Sequence, residues 1–377
     1  MRTPALQRAE PRRDTRAEVD REAIRSNVRT IRAAIPASAA FMAVVKADGY
    51  GHGAIAAAEA GLAGGADSLA VAFLSEALQL RRGGIRAPIL VLTPIPPGEA
   101  PIAAEWDVML TVASAAWMAE ARSFKNPYSP AKIKVHVKLD TGLGRLGLRE
   151  RGEWEALVPL LAARDVSVEG AYTHLATAGG KDTAYVETQI RRFREMTGWI
   201  EASGIRPRRY HCAGSAAALR FPELAMDMVR FGAAMYGFCD PRWMPPGGLR
   251  PALRLTSRLV QAKYVAKGER IGYDNGYAMD ESGWIGTVPI GYADGWGQGL
   301  QGADVLIEGN RCPIVGRIGM DQLMVRLPRD CPAGTTVTLI GEEAGDCITC
   351  AELADRIGSV PQEISTALAT RVERMYK

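Results

Sequence analysis

The sequence is poor in several features that mark specialised classes of protein. No apolar run in its 377 residues approaches the ~18 residues needed to cross a bilayer. The N-terminus has no apolar region of the kind found in signal peptides. Aromatic residues make up only 7% and charged residues 23%, beside 47% hydrophobic residues, which is typical of a soluble globular protein. We therefore expect a cytoplasmic protein that is neither disordered over most of its length nor a small disulfide scaffold.

An excess of charge of one sign is also missing. The chain has 46 basic and 42 acidic residues, for a formal net charge of +4. Binding to nucleic acid would require a clustered basic face, so we expect neither a nucleic-acid nor a membrane partner. One basic stretch near the N-terminus contains Arg8, Arg12, Arg13 and Arg16. It is mixed with proline and glutamate, and we expect residues 1–15 to be a disordered, solvated tail.

Cysteine is present but in the wrong pattern for a structural zinc site. Of six cysteines, only Cys347 and Cys350 form a close pair, whereas such zinc sites usually have two close pairs. We therefore predict reduced, partly buried thiols and no metal. A redox role for the pair stays as the alternative, because Cys350 precedes a helical stretch.

Short apolar runs alternate with Ala- and Leu-rich amphipathic stretches from about residue 18 to about residue 240. The eight runs are 41–45, 68–73, 88–93, 107–112, 133–140, 166–174, 208–215 and 226–237. Eight strand-then-helix units in roughly 220 residues predict an α/β fold, a TIM-type (β/α)8 barrel. A doubly wound sheet is the alternative, although it usually has fewer strands in one domain.

After about residue 250 the pattern changes to alternating strands joined by glycine-rich turns. A helical pattern returns only from Thr349 to about Arg371. This part of the chain is typical of a separate, mostly β domain. We predict three parts: the tail at 1–15, the barrel at 16–248 and the β domain at 249–377.

Polar residues follow several of the predicted barrel strands, where the active sites of TIM barrels lie. Lys46 comes directly after the first apolar run, and a lysine is rarely buried without a partner or a purpose. It could form a Schiff base with a carbonyl cofactor, and a structural lysine fits this position equally well. His174, Ser215 and Arg230 follow later runs. The Ser215 hydroxyl and neighbouring backbone amides could hold a phosphate.

The fifth run ends in KLDTGLGRLG, which contains GxGxxG from Gly142 to Gly147. Alone, this pattern suggests a dinucleotide site. It lies in the fifth strand–helix unit rather than the first, and Arg145 occupies the middle of the turn. We therefore expect the glycines to form a tight turn that brings Arg145 to the mouth of the barrel.

Taken together, the motifs resemble those of the alanine racemase family. VVKADGYGHG resembles the cofactor-lysine motif of the family, and KLDTGLGRLG, THLATA, VRFG, PIGYADG and RIGMDQ resemble its other signatures, in the same order. The resemblance extends from about Arg16 to Tyr376. It implies a barrel followed by a mostly β domain. It also implies an isomerase that interconverts L- and D-alanine with pyridoxal 5′-phosphate, as in the supply of D-alanine for peptidoglycan.

The resemblance implies two acid–base residues. Lys46 would carry the cofactor as a Schiff base and exchange the substrate α-proton on the D side. Tyr273 would act on the L side, in competition with Tyr277. The family places this tyrosine nineteen residues before the tyrosine of PIGYADG, and counting back nineteen from Tyr292 gives Tyr273. Because a phenol with a pKa of about 10 is a poor base at neutral pH, nearby positive charge would have to favour the phenolate.

His174 and Arg230 are the neighbours expected to favour that phenolate. The resemblance further implies that Arg230 faces the pyridine nitrogen. Because arginine holds its protons too tightly to transfer one, the ring nitrogen would stay largely unprotonated, which limits side reactions such as transamination. The cofactor contacts would be Lys46, Tyr50, His174, Ser215, Arg230, Gly232 and Ala233. The substrate contacts would be Arg145, Tyr292 and Met320. Lys138 matches a family lysine that can be carbamylated, which would supply a negative group beside Arg145.

Family enzymes are homodimers with shared active sites, so the resemblance implies that Tyr273, Tyr292 and Met320 act on the partner's barrel. Two positions depart from the family pattern. Gly214 replaces a frequent asparagine, and Thr370 replaces a tyrosine that narrows the pocket. The smaller threonine predicts better tolerance of serine.

Four other functions remain open at this point. One is a serine-tolerant or serine-preferring racemase of the same family. Another is a barrel-fold decarboxylase of amino acids, which would normally carry a C-terminal cysteine–aspartate signature that we do not find. A non-catalytic cofactor-binding protein would lack the β domain, and a dehydrogenase rests only on the glycine-rich turn.

Overall fold

The computed structural model describes residues 13–377 and separates them into two compact units. The barrel unit is Asp20–Ala252. The β unit consists of residues 13–19 together with Leu253–Lys377. Residues 1–12 of the predicted tail lie outside the described residues.

The barrel unit contains an eight-stranded parallel sheet, which confirms the predicted fold class. Its strands are Ala40–Val44, Ser68–Val71, Ile89–Val91, Val108–Val112, Ile133–Lys138, Val166–Tyr172, Tyr210–His211 and Met228–Phe231. Seven of them lie within the apolar runs, and the first, Ala40–Val44, begins one residue before its run. The first strand pairs with both the second and the last. A single bridge between Gly214 and Arg230 joins the last two strands and nearly closes the barrel.

The interior of the barrel is filled by side chains rather than open. Alternate residues of the strands point inward, and they form a cluster that includes Met42, Leu90, Met109 and Met228. The side chain of Tyr50 packs against this cluster from the residues that follow the first strand. This part of the barrel interior is therefore apolar, which raises the cost of any charged group placed beside it.

Helices follow most of the barrel strands. They are Arg21–Ala33, Ala54–Ala63, Leu74–Arg82, Ala100–Glu105, Ala115–Ser123, Arg151–Leu161, Ala184–Ala202 and Ser215–Arg220, with 3-10 turns at Pro97–Glu99, Pro222–Leu224, Ala233–Tyr236 and Pro241–Trp243. The first helix shows why they form where they do. The Asp20 carboxylate accepts a hydrogen bond from the Ala23 N–H at 2.8 Å and so caps the helix. Ile24, Val28 and Ile31 are buried at helical spacing.

The β unit is mostly antiparallel sheet. Its strands are Arg16–Val19, Leu253–Arg258, Gln261–Val265, Arg270–Ile271, Tyr277–Ala278, Gly283–Val288, Asp304–Ile307, Asn310–Val315, Leu323–Leu327, Thr336–Glu343, Asp346–Ile348 and Glu373–Tyr376. Two of them, Arg270–Ile271 and Tyr277–Ala278, form a separate pair. The predicted C-terminal helical region contains two helices, Cys350–Arg356 and Pro361–Ala367. They are separate because Pro361 cannot continue a preceding helix.

The strand nearest the N-terminus, Arg16–Val19, lies in a different unit from the one that the sequence suggests. The predicted barrel starts at residue 16, whereas Arg16–Val19 pairs antiparallel with Leu253–Arg258 and parallel with Glu373–Tyr376 in the β unit. The last three residues of the predicted tail are also held there. The Thr15 hydroxyl donates to the Pro289 carbonyl at 2.9 Å, and Arg13 forms an ion pair with Asp294 of the same unit.

All six cysteines are free thiols. Burial raises the pKa of Cys350 to about 12, so the thiolate needed for metal binding or nucleophilic attack is disfavoured. Burial also raises the pKa of Cys347. Within residues 13–377, no helix combines the length and the apolar character needed to cross a membrane.

Candidate active site

Lys46 stands at the C-terminal end of the first barrel strand, at the start of a strained turn. The five residues Ala47–Gly51 all have positive φ, between 50° and 83°. A left-handed turn costs roughly 1–2 kcal/mol for each residue with a side chain. Such strain persists only where the surroundings impose it. The turn places Lys46 and Tyr50 on the same short segment at the mouth of the barrel.

Glu76 is one of the groups that hold this turn. One carboxylate oxygen accepts a hydrogen bond from the Ala47 N–H at 2.7 Å. The other accepts from the N–H groups of Ala72 and Phe73 at 2.7 and 3.0 Å. Glu76 therefore connects the residues after the first strand to those after the second. Sequence reasoning did not select it, because an acidic residue in the first turn of a helix is expected as a simple cap.

The candidate cations of the barrel lie around one histidine. Burial, followed by the charges of Arg230, Lys138, Arg145 and Lys46, lowers the pKa of His174 to about 3. Burial and then Arg145 lower the pKa of Lys46. Burial and then Arg230 lower the pKa of Lys138 to about 7. Strand-end residues that the sequence singled out are thus brought together into an electropositive mouth that suits anions.

Arg230 is buried and held by several acceptors. One terminal nitrogen, Nη1, lies 2.7 Å from His211 Nδ1. The other, Nη2, donates to the carbonyls of Thr173 at 2.8 Å and Cys212 at 3.1 Å. The same nitrogen lies 3.1 Å from His174 Nδ1. Because these acceptors are on rigid strand ends, the guanidinium has little freedom to turn.

Lys138 ends the fifth barrel strand and is almost fully buried. Its Nζ donates to the Leu139 carbonyl at 2.9 Å and lies 5.1 Å from the centre of the Tyr172 ring. These contacts replace little of the water that an ammonium group loses on burial. A substantial neutral fraction is therefore expected near neutral pH, in keeping with the pKa of about 7.

The glycine-rich turn after this strand carries Arg145. The Asp140 carboxylate accepts from the N–H groups of Gly142 and Gly144, each at 3.0 Å. Gly147 has a φ of 127°, and a Cβ there would lie 2.6 Å from the Asp140 nitrogen. The turn therefore requires glycine for its own shape, and it presents Arg145 as an exposed side chain.

Ser215, Gly232 and Tyr50 form a small polar cradle. The Ser215 hydroxyl accepts from the Gly232 N–H at 3.1 Å and from the Ala234 N–H at 3.5 Å. Ala233 begins the 3-10 turn between them. A Cβ on Gly232 would lie 2.4 Å from the Tyr50 hydroxyl oxygen. Burial raises the pKa of Tyr50 to about 12, so its hydroxyl stays protonated and can donate.

Gly214 lies between this cradle and the cationic mouth. A Cβ at this position would lie 3.2 Å from His174 Cε1. An asparagine would therefore press on the imidazole ring by a few tenths of an ångström. The glycine leaves His174 at its place beside Arg230.

The two candidate tyrosines of the β unit have different environments. The Tyr277 hydroxyl accepts a hydrogen bond from Arg326 at 3.0 Å, and its ring packs against a buried cluster. Tyr273 is 70% exposed and follows Gly272, whose φ of 79° requires glycine. The structure thus gives Tyr277 a structural contact and leaves the Tyr273 side chain accessible.

Tyr273 borders a groove of about 510 Å³ in the β unit, with Arg317, Gly319, Met320 and Asp321 also in its lining. Backbone hydrogen bonds join the neighbouring turns. The Tyr292 N–H donates to the Gly319 carbonyl and the Ala293 N–H donates to the Met320 carbonyl, both at 3.0 Å. The side chains of Tyr292 and Met320 are exposed, as is that of Thr370. Tyr273 and Met320 therefore line one accessible groove, and backbone hydrogen bonds join the turn of Tyr292 to Gly319 and Met320.

A parallel barrel whose mouth carries a lysine, several other cations and a polar cradle is the architecture of an enzyme that holds an anionic cofactor at a lysine. Comparisons with known proteins identify the family. Residues 19–240 match the model of the alanine racemase N-terminal domain, and residues 252–376 match that of the alanine racemase C-terminal domain. The chain belongs to the alanine racemase family of isomerases, which depend on pyridoxal phosphate.

Individual relatives agree with this assignment. An alanine racemase of Geobacillus stearothermophilus is 45% identical over 97% of this chain and 94% of its own length. The crystal structure of alanine racemase from Bacillus anthracis with bound L-Ala-P has a TM-score of 0.94 and 44% identity, covering 98% of this chain and 96% of that one. A histidine racemase from Leuconostoc mesenteroides has a TM-score of 0.90 at 30% identity, with 97% and 99% covered.

Proposed function

We propose that this chain is an alanine racemase that interconverts L- and D-alanine with pyridoxal 5′-phosphate held at Lys46. The observation that carries the proposal is the position of Arg230 3.1 Å from His174 Nδ1, on a ring that the charges of Lys46, Lys138 and Arg145 also affect. This electropositive mouth attracts both a phosphate and a carboxylate. The matches to racemases do not favour the decarboxylase or the serine-preferring alternative.

The residues at the mouth fit the cofactor. Its phosphate would be held by the hydroxyls of Ser215 and Tyr50 and by the backbone at Gly232 and Ala233. Gly232 supports this reading, because a Cβ there would occupy the space beside the Tyr50 hydroxyl. The aldehyde would be held by Lys46, and Arg230 would face the ring nitrogen. When bound, pyridoxal phosphate supplies an electron sink that acidifies the α-proton of an amino acid.

Lys46 would then move a proton at Nζ. Burial and the charge of Arg145 lower its pKa, so more of the amine is free to accept a proton at neutral pH. A base with a pKa closer to the working pH is the more effective one. Lys46 would act on the D side of the substrate.

Tyr273 would act at its hydroxyl oxygen on the opposite side. We infer that it belongs to a second copy of the chain, so that a homodimer shares its active sites and an isolated monomer is inactive. Its 70% exposed side chain supports this inference. Tyr292 and Met320, whose side chains are also exposed, would enter the partner's barrel with it.

His174 would donate a hydrogen bond to Tyr273 of the second copy. Its Nδ1 lies 3.1 Å from Arg230, and a guanidinium can only donate. Since His174 is neutral, its one proton is on Nε2. A donor at this position would favour the phenolate that a base requires.

Arg145 would bind the substrate carboxylate, because its side chain is exposed at the tip of a turn whose backbone is fixed by Asp140. The backbone of Met320 would contact the same carboxylate. We further propose that Lys138 becomes carbamylated. A neutral Nζ attacks carbon dioxide and releases a proton, and the negative carbamate then faces Arg145. Incubation with 13C-labelled carbon dioxide should give a carbamate signal that Lys138→Ala abolishes and Lys134→Ala retains.

The test of the function is a direct assay. Protein purified with pyridoxal phosphate is incubated with L-alanine or L-serine, and the D-enantiomer is followed by chiral chromatography. D-alanine should form rapidly, and Lys46→Ala should abolish its formation. Lys134→Ala is the matched control, because Lys134 pairs with Asp107 away from the candidate residues. Cofactor binding without racemisation of either amino acid would contradict the proposal and make carbon dioxide release the next assay.

A further inference from the structure

A chain of three hydrogen-bonded side chains leads from Arg230 into the barrel. Arg230 Nη1 lies 2.7 Å from His211 Nδ1, and His211 Nε2 lies 2.9 Å from His136 Nδ1. The exposed fractions of Arg230, His211 and His136 are 5%, 0% and 1%. His136 lies two residues before the end of its strand, so it does not reach the mouth itself.

The donor and the acceptor of each of these hydrogen bonds can be assigned, starting from the guanidinium. A guanidinium has five donors and no acceptor, so His211 Nδ1 must accept. A neutral imidazole has one donor and one acceptor, which places the proton of His211 on Nε2. That N–H donates to His136 Nδ1, and the proton of His136 is then on Nε2. Each link fixes the tautomer of the next.

Both histidines are neutral in the folded protein. Burial, followed by the charge of Arg230, lowers the pKa of His136 to about 3. The same two causes lower the pKa of His211 well below its usual value. Protonating His211 on both nitrogens would also turn an N–H toward an N–H of Arg230, which burial would make costly.

Packing holds the two rings in these orientations. The Tyr172 ring stacks on His211 with centroids 4.8 Å apart and an interplanar angle of 1°. The Tyr172 hydroxyl is fixed in turn by Thr111 at 2.8 Å. On the other side, a Cβ on Gly170 would lie 2.4 Å from His136 Nδ1. A glycine is therefore needed where the strand passes the His136 ring.

We propose that His136 is a positioning residue for Arg230 and acts through His211. By accepting the Nε2–H of His211, it keeps Nδ1 as the acceptor that anchors the guanidinium. Without that acceptor, His211 must either bury an unsatisfied N–H or change tautomer and present an N–H to Arg230. Either change would release Arg230 from one of its anchors.

The consequence for catalysis rests on the proposed function, in which Arg230 faces the cofactor ring. Arg230 also fixes the tautomer of His174 through its other terminal nitrogen. A displaced guanidinium would therefore alter two contacts at the mouth. We expect slower racemisation and a larger share of transamination, because an arginine held at the ring limits side reactions.

The first test reads the tautomers directly. The chain has only four histidines, so two-bond 1H–15N correlation spectra of 15N-histidine-labelled protein can be assigned by single substitutions. His211 and His136 should both show a protonated Nε2 and an unprotonated Nδ1. Their signals should not change over the pH range in which an ordinary histidine titrates, near pH ~6.5. A protonated Nδ1 on His211 would overturn the proposal.

The second test compares two substitutions in the holoenzyme. His136→Asn keeps an oxygen acceptor near the position of Nδ1, whereas His136→Leu removes it. His136→Leu should lower kcat on the order of tenfold, by analogy with the loss of an outer partner that orients a metal-binding side chain. It should also shift the cofactor absorbance and raise the ratio of transamination to racemisation. His136→Asn should stay close to the unsubstituted protein in all three measurements.

Thr111→Val is the matched control, because it removes the buried hydroxyl that contacts Tyr172 and leaves the hydrogen bonds between Arg230, His211 and His136 in place. The same spectral and partition changes in Thr111→Val would show a general packing effect and overturn the proposal. So would unchanged values in a folded His136→Leu protein. If the unsubstituted protein shows the predicted tautomers yet racemises nothing, the proposed function fails and the hydrogen-bond chain stands.

Discussion

The Arg13 guanidinium lies 2.6 Å from the Asp294 carboxylate, across 281 positions of the sequence. Asp294 has a side chain with no exposed surface, and its second arginine partner is Arg371 at 2.8 Å. Arg371 also contacts Asp321 at 2.7 Å. An ion-pair network therefore joins the start of the described chain, the turn of Tyr292 and the residue after Met320.

We predict that Arg13→Gln lowers the free energy of unfolding by about 1–3 kcal/mol, because the buried Asp294 carboxylate loses one of its charged donors. Thermal unfolding measures the effect. Arg258→Gln is the control. Arg258 pairs at 3.6 Å with Asp14, the residue after Arg13, and both of these side chains are exposed. Equal effects of the two substitutions would show that the buried pair adds nothing specific.

Gly232→Ala should weaken cofactor binding. Its Cβ would lie 2.4 Å from the Tyr50 hydroxyl oxygen, and overpacking of this kind costs about 1–3 kcal/mol, equivalent to about fivefold to 150-fold in the Kd for pyridoxal phosphate. Adding Tyr50→Phe should restore some of the space. Gly152→Ala is the control, because a Cβ there meets nothing within 4 Å. An unchanged Kd in Gly232→Ala would argue against the cradle as the phosphate site.

The buried neutral histidines predict a loss of stability in acid. His136 and His174 have folded pKa values of about 3, below the ordinary value of about 6.5. The unfolded chain therefore binds more protons than the folded chain between these values, and stability falls as pH decreases through that window. The melting temperature should drop less steeply with acid in His136→Asn than in the unsubstituted protein. Parallel curves would contradict the assignment of His136 as neutral.

Thr370→Tyr should lower serine turnover relative to alanine. The threonine side chain is exposed, and the larger ring is expected to narrow the pocket against a substrate with one additional oxygen. The ratio of kcat/KM for the two substrates is the measurement. Thr366→Tyr places the same ring on another exposed threonine and should leave the ratio unchanged. An unaltered ratio in Thr370→Tyr would refute the prediction.

The barrel and its mouth were predictable because both are local in the sequence. Each barrel strand is an apolar run, and the C-terminal ends of parallel strands share one rim. Lys46, His174 and Arg230 could therefore be brought together without knowledge of their side-chain geometry. The roles of Tyr273 and Met320 came only from family resemblance, since nothing in their spacing assigns them.

Three features could not be read from the sequence. Arg16–Val19 is too short to reveal that its partners lie near residues 255 and 375. Glu76 has the pattern of a helix cap, so its hydrogen bond to the residue after Lys46 was hidden. His136 is a polar residue within a strand, and only its 2.9 Å contact with His211 distinguishes it from an ordinary core histidine.

The pairing of Arg16–Val19 has a consequence for the order in which a new chain can fold. These residues leave the ribosome early, but Ala17 pairs with Leu255, roughly 240 residues later. At a synthesis rate of ~5–20 residues per second, the segment waits roughly 10–50 s for its partner. The barrel can complete its sheet during synthesis. The β unit closes only after Glu373–Tyr376 has emerged, so its sheet is completed later than that of the barrel.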